Sequence, residues 1–341
     1  MRAATVILCV WFASSAYAAG ESADAAGCLS EQPDLFAPYR HRPAWRVAGV
    51  DYCVGVPEGL PLKSPATIAM AGARADRSAH IVRVSGDNVR LDGYDFSVDG
   101  GWGVFIEGKG TVISNSKFAV GANGLAPVLG MQSSGDVTLT DSTIDGADSP
   151  DVGGLIEMRG AGVLTVRRSW LKNSADDIVQ MHNNGPADLI LEYNLIQNSG
   201  MAPGAHGDWT EFIGGPFTAR IAYNTATQDG GATQGFMVEP DLGSSPGVVT
   251  SGEIANNTMK GTVSVFTGVT VADIVDNFYV RDNYFDPTHT LGGLAFSGVR
   301  GGPFDGSPKT FYDRNVNMRT GAVVCKRARC GIATSEGKRP D

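Results

Sequence analysis

Six side chains within one stretch of the chain are of the types that move protons or hold charge against a substrate: Arg159, Asp177, His182, His206, Asp208 and Glu211. Imidazole and carboxyl groups exchange protons near neutral pH, a guanidinium pairs with a carboxylate, and the nearby Trp209 offers a flat ring to a sugar face. Together they point to acid–base chemistry on a glycan. Three segments, Gly154–Arg159, Asp177–His182 and Asp208–Ile213, carry all of them but His206. Read as stacked strands of period two, they send Ile156, Val179 and Thr210 inward with Met158, Met181 and Phe212. Glu157, Gln180 and Glu211 then form one outward row. Arg159 and His182 belong to the next row, and Trp209 is also expected outward. Asp176 and His206 lie in the entering turns. Carboxyl groups on neighbouring strands would lie about 5 Å apart, so one of them is expected to keep its proton. The loop Asn198–Trp209 is rich in Gly and Pro and delivers His206 and Asp208 at a strand start, where function concentrates on rigid scaffolds.

The elements that position these groups repeat. A marker, an alternating apolar run ending at a small polar residue with an apolar residue soon after, sits at 93, 116, 142, 169, 194, 224, 257, 283 and 315. A second strand-like run falls between markers, at Gly103–Glu107, Val128–Gln132, Leu155–Arg159, Ile178–His182, Trp209–Ile213, Phe236–Glu239, Val263–Thr267 and Leu294–Ser297. At least two short strands per repeat, with no sustained 3.6-residue period, predict an all-β solenoid rather than a helical array. About 9–10 coils are expected. Asn194, Asn224, Asn257, Asn283 and Asn315 are expected to stack as an amide ladder at one turn. Residues 19–79 read as an N-terminal cap and a first irregular coil, with Ala66–Ala75 the best helix candidate. Residues 80–330 read as the solenoid and 331–341 as a polar tail.

The chain has 341 residues, 45 of them Gly, and a formal net charge of −9. An acidic balance argues against nucleic acid as partner, and 18% charged residues argue against a coiled coil. Arg2, the apolar run Val6–Phe12 and Ala16-Tyr17-Ala18 read as a signal peptide over residues 1–18, implying export. No segment has the ~20 apolar residues of a membrane span, so no membrane insertion is expected. Four cysteines remain after that segment, and Cys28–Cys53 with Cys325–Cys330 is the simplest of their three pairings.

The repeat resembles the pectin-lyase-like, right-handed parallel β-helix superfamily across residues 80–320 or so, a scaffold that hosts several chemistries. Asn173-Ser174-Ala175-Asp176-Asp177-Ile178-Val179-Gln180 looks like the paired-aspartate strand of polygalacturonase-type hydrolases. That resemblance implies acid and base roles for Asp176 and Asp177. Gly204-Ala205-His206-Gly207-Asp208 is similar to the same family's G-H-G step and implies a supporting His206. The N-T-D step is absent, with Asp151 in its place, and so is the R-I-K step. Resemblance to polysaccharide lyases of the same fold implies that Ca²⁺ or amides neutralise a uronate while a basic residue takes the adjacent proton. Asp176, Asp177 and Asp208 would then hold Ca²⁺, His206 or Arg159 would act as base, and Tyr193 or Tyr223 as acid. Neither the R-x-P-x-x-R nor the D-P-H-D step is present. The expected function is cleavage of an acidic polysaccharide by β-elimination, with Trp209, Glu157, Gln180, Tyr193 and Tyr223 binding substrate. Hydrolysis by Asp176, Asp177 and Asp208, or glycan binding without catalysis, are the alternatives.

Overall fold

The computed structural model describes residues 35–120, 125–147, 153–183, 185–205, 207–238, 248–262, 269–271, 276–286, 296–297 and 310–325. The described chain is nearly all β. Its strands form three sheets of 11, 9 and 10 strands, and in each the parallel part holds nine. Strands visit the sheets in strict rotation, so each pairs with the third strand along the chain. Ile156–Met158, for example, lies between Val128–Gly130 and Val179–Asn183 in the first sheet. One turn of the chain thus contributes a strand to every sheet and advances by one strand spacing, a connectivity compatible with a parallel β-helix. Nine such coils are stacked. Each holds three strands, one more than the two-strand pattern legible in the sequence. Antiparallel strands finish both ends: Ala69–Met70 and Ala73–Asp76 against Ile81–Val84, and Val323–Cys325 against Asn315–Asn317.

Inward rows fill the space between the sheets. The first sheet contributes Val82, Val104, Val128, Ile156, Val179, Thr210 and Phe236. The second contributes Leu91, Ile113, Leu139, Val166, Leu191, Ile221 and Ile254, and the third Phe96, Phe118, Ile144, Leu171 and Ile196. All are buried, and all but Thr210 belong to one apolar cluster. The Phe96 and Phe118 rings stack at 4.4 Å, as aligned aromatics on parallel coils must.

The turn from second to third sheet explains the marker. Its first residue is left-handed in every coil, from Gly93 (φ 71°) through Asn115, Asp141, Arg168, Tyr193, Tyr223, Asn256 and Asp282 to Arg314. The next residue turns inward and bonds to the coil above. Ser116 N–H donates to Ser142 Oγ (3.1 Å), Ser169 N–H to Asn194 Oδ1 (2.9 Å), Asn194 N–H to Asn224 Oδ1 (3.0 Å) and Asn283 N–H to Asn315 Oδ1 (3.2 Å). Each amide also donates to a carbonyl of the coil below, such as Asn224 Nδ2 to Leu191 O at 2.8 Å. The expected Asn ladder is therefore present, fully buried, and continued by serines. In the first coil Tyr94 occupies the ladder position, one residue later than expected.

One local expectation is corrected. Ala66–Ala75 is not an α-helix: a 3₁₀ turn at Pro65–Thr67 leads into two strands, because Gly72 (φ 80°) closes a hairpin that pairs Ala69–Met70 with Ala73–Asp76. The strand expected at Val263–Thr267 lies outside the described residues, and the strand that pairs with Phe236–Val238 is Val269–Val271. Residues 35–63, expected to be part of a cap, run along the outside of the third sheet. Among the described residues no helix is long and apolar enough to cross a membrane.

Candidate functional site

The outward row of the first sheet is as the alternation predicts. Glu157 stands beside Gln180, and Gln180 beside Glu211. Leu129 and Phe105 occupy the same row on the two coils below, both buried against Ile81. Glu157 is therefore the first polar side chain above an apolar floor. Its carboxylate takes two bonds from Arg159, Nε to Oε1 at 2.6 Å and an Nη to Oε2 at 3.0 Å, a bidentate fork. His182 Nδ1 lies 3.8 Å from the same Oε1. His182 and Arg159 are each close to half exposed, so the imidazole faces solvent beside a carboxylate that is itself largely covered.

The other half of the site is a carboxyl pair. Asp177 enters the strand Val179–Asn183 from a turn that Ser174 Oγ closes by donating to Asp177 O (2.6 Å). Its side chain is 4% exposed. Asp177 Oδ1 accepts the Asp208 backbone N–H at 2.7 Å, and Oδ2 accepts Gln180 Nε2 at 3.2 Å. The same Gln180 nitrogen donates to Glu211 Oε2, and Asp177 and Glu211 share a hydrogen bond. Burial, then the negative charge of Glu211 and that shared bond, hold the Asp177 carboxyl well above the ordinary range, with Asp208 and Asp176 adding to the effect. Asp177 thus keeps its proton at neutral pH. Asp177 and Glu211, on adjacent coils, are the carboxyl pair that strand stacking brings together.

Backbone contact explains the glycines here. A Cβ on Gly207 would stand 2.2 Å from Asp176 O, and Gly200 N–H donates to that carbonyl at 3.0 Å. The loop 198–208 therefore lies directly on the Asp176–Asp177 turn. Asp208, only 2% exposed, accepts the Gln234 N–H through Oδ1 at 2.7 Å.

Other expected site residues stand elsewhere. Trp209 is buried in the core rather than outward, edge-on to Phe236 at 5.1 Å. The residue just before the strand turns inward on each of these coils: Leu155 and Ile178, at the same position below Trp209, are likewise fully buried in the core. Trp209 is unavailable to stack on a sugar. Tyr193 and Tyr223 stack at 5.0 Å, but at the turn between second and third sheets rather than on the first. No group of three or more His, Cys, Asp or Glu is placed to hold a metal among the described residues. The expected Ca²⁺ set of Asp176, Asp177 and Asp208 does not come together as a ligand cluster, and the Asp177 oxygens already accept the Asp208 N–H and Gln180 Nε2. His206, Asp151 and residues 1–34, with the signal segment, lie outside the described residues. Cys53 is disulfide-bonded, while Cys28, Cys330 and the Cys325 side chain also lie outside them. One buried residue beside the site, Gln228, escaped the sequence reading because it ends a four-residue strand, Thr225–Gln228, that is buried throughout and shows no inward–outward alternation.

An imidazole beside a carboxylate, a guanidinium and a proton-holding carboxyl pair together can take a proton on one side of a bond and return one on the other. No family model, no curated protein and no solved structure matches the chain.

Proposed function

We propose that the chain is an exported carbohydrate-active enzyme on a right-handed, pectin-lyase-like parallel β-helix, and that it cleaves an acidic polysaccharide by β-elimination at a uronate. One observation carries the reading: a solvent-facing imidazole and a proton-holding carboxyl pair lie on the same outward face, on adjacent rows of neighbouring coils. In the proposed step His182 removes the proton next to the uronate carboxylate, and Glu157 stabilises the imidazolium that forms. The electron pair becomes a C=C bond as the C–O bond to the departing sugar breaks. The departing oxygen takes the proton shared by Asp177 and Glu211, delivered through the more accessible Glu211. Arg159 balances the uronate charge. A leader-like N-terminus and a disulfide-bonded Cys53 support export.

Hydrolysis is favoured by a separate observation. Glu157 and Glu211 share one row two coils apart, roughly 9.6 Å along the stack, at the upper edge of the separation that lets two carboxyls flank a water and a glycosidic bond. Product masses from the mature protein with acidic and neutral polysaccharides separate the readings. Fragments lighter than hydrolytic ones by one water, abolished in His182→Ala and Glu211→Gln, are the expected result. Water-added fragments would replace elimination by hydrolysis. Retention on a glycan gel with no products would leave a binding protein.

A further inference from the structure

Gln228 is fully buried on the third sheet, yet it touches both ends of the loop that carries Asp208. Its Oε1 accepts the Ser199 N–H at 3.1 Å and the Trp209 Nε1–H at 3.1 Å. Its Nε2 donates to Ser199 O at 2.7 Å and to Gly230 O. Every hydrogen-bonding position of the amide is therefore used. Ser199 opens the loop and Trp209 closes it, while Ser199 Oγ donates across it to Gly207 O at 3.2 Å. Between Gly207 and Trp209 stands Asp208, whose N–H meets Asp177 Oδ1 at 2.7 Å.

We propose that Gln228 is a positioning residue for the candidate site: by clamping Ser199 to Trp209 it fixes where the Asp208 N–H meets the Asp177 carboxyl. The assignment rests on reading the Asp177–Glu211 pair as the proton donor. Two chemical features make Gln the residue for the task. Both ends of the loop present a donor to it, one a backbone N–H and the other an indole N–H, so a carbonyl-type oxygen is needed. Two backbone carbonyls need a donor from the same side chain, and only an amide supplies both. Glu would lack the donor and bring a buried charge, and Met would leave four buried polar groups unpaired.

The test follows the Asp208 N–H itself. In Gln228→Met, the Asp208 amide and the Trp209 indole N–H are expected to lose at least tenfold of their protection from hydrogen exchange. The Asp208 amide proton should also move upfield in the NMR spectrum, as it does when a bond to a carboxyl oxygen lengthens. Amides of Ile156–Met158 should stay as they were. On any glycan the parent cleaves, turnover should fall about 100-fold with KM within threefold. If the Asp208 amide is unmoved while Ser199 and Trp209 loosen, Gln228 is only a packing residue and the proposal is wrong. Should Gln228→Met fail to fold, Trp209→Phe removes the indole donor to Gln228 Oε1, and the Asp208 amide is read the same way. An Asp208 response in a protein that cleaves no glycan would sink the proposed function and leave the positioning role intact. Cleavage by the parent with an unmoved Asp208 amide would do the reverse.

Discussion

Asp177 shows how far one residue's environment sets its chemistry. It sits among three other acids, buried and held within reach of Gln180 and Glu211. An unfolded chain releases its proton near the ordinary aspartate value of 3.8, whereas the folded chain keeps it far higher. Across that window the native state binds the extra proton, so stability falls as pH rises, by up to about 1.4 kcal/mol per pH unit, and levels off above the folded midpoint. Asp177→Asn has no proton to lose. Urea midpoints measured from pH 4 to 8 should therefore decline less steeply in the variant than in the parent, with the variant gaining relative stability at each step. Parallel curves would mean that Asp177 ionises in the folded protein and is no proton store.

At the scale of the element, the ladder turn holds the stack in register. Asn224 Oδ1 accepts from both Asn194 N–H and Asn194 Nδ2, while its own amide reaches Leu191 O and Asn257 Oδ1. Asn224→Ala leaves these groups buried and unpaired and should cost about 3 kcal/mol. Asn224→Ser should cost roughly half as much, because Ser142 and Ser169 already accept from the coil below with a hydroxyl at this position. Denaturant unfolding of both variants checks the order, and equal losses would show that the ladder oxygen contributes nothing.

The same turn shows what was legible beforehand. A residue that must be left-handed followed by one that must bond along the stack constrains identity in every coil, so the marker repeats visibly. The strands of the third sheet are two to four residues long, such as Lys117–Ala119 and Leu195–Gln197, too short to display an alternation of their own. In the site, the row Glu157, Gln180, Glu211 followed from pleat geometry alone. Trp209 did not, since the residue before the strand turns inward on these coils, as Leu155 and Ile178 also do, against a strict alternation. Tyr193 and Tyr223 were misplaced because both occupy the left-handed turn position, which strand alternation does not locate.

For the whole molecule, the decisive element has no period at all. A stack in which each coil touches only its neighbours opens from its ends. Residues 35–63 cross that limit by running against the stacking direction over the third sheet. His41 N–H donates to Met318 O at the ninth coil, and Tyr39 OH donates at 2.5 Å to Asp286, which Arg319 also grips. Trp45 stands edge-on to Tyr284 and Tyr223, at 5.4 and 5.9 Å, spanning the eighth and sixth coils. Thr225 Oγ1 donates to Ala48 O, Gly55 N–H to Arg168 O, Val56 N–H to Thr143 Oγ1, and Lys63 pairs with Tyr94 at the first coil. Such a strap couples coils that share no sheet contact, so loosening it anywhere should loosen both ends together. Trp45→Ala is expected to speed hydrogen exchange about tenfold, a cost of about 1.4 kcal/mol, at Tyr284–Phe285 and also at Asp95–Phe96 and Lys117–Ala119, far from the substitution. Tyr39→Phe, a milder change at the same end, where the hydroxyl meets Asp286, should produce the same distribution at smaller size. If faster exchange stays within the sixth to eighth coils in both variants, the strap only covers the sheet, and the stack holds its ends by nearest-neighbour contacts alone.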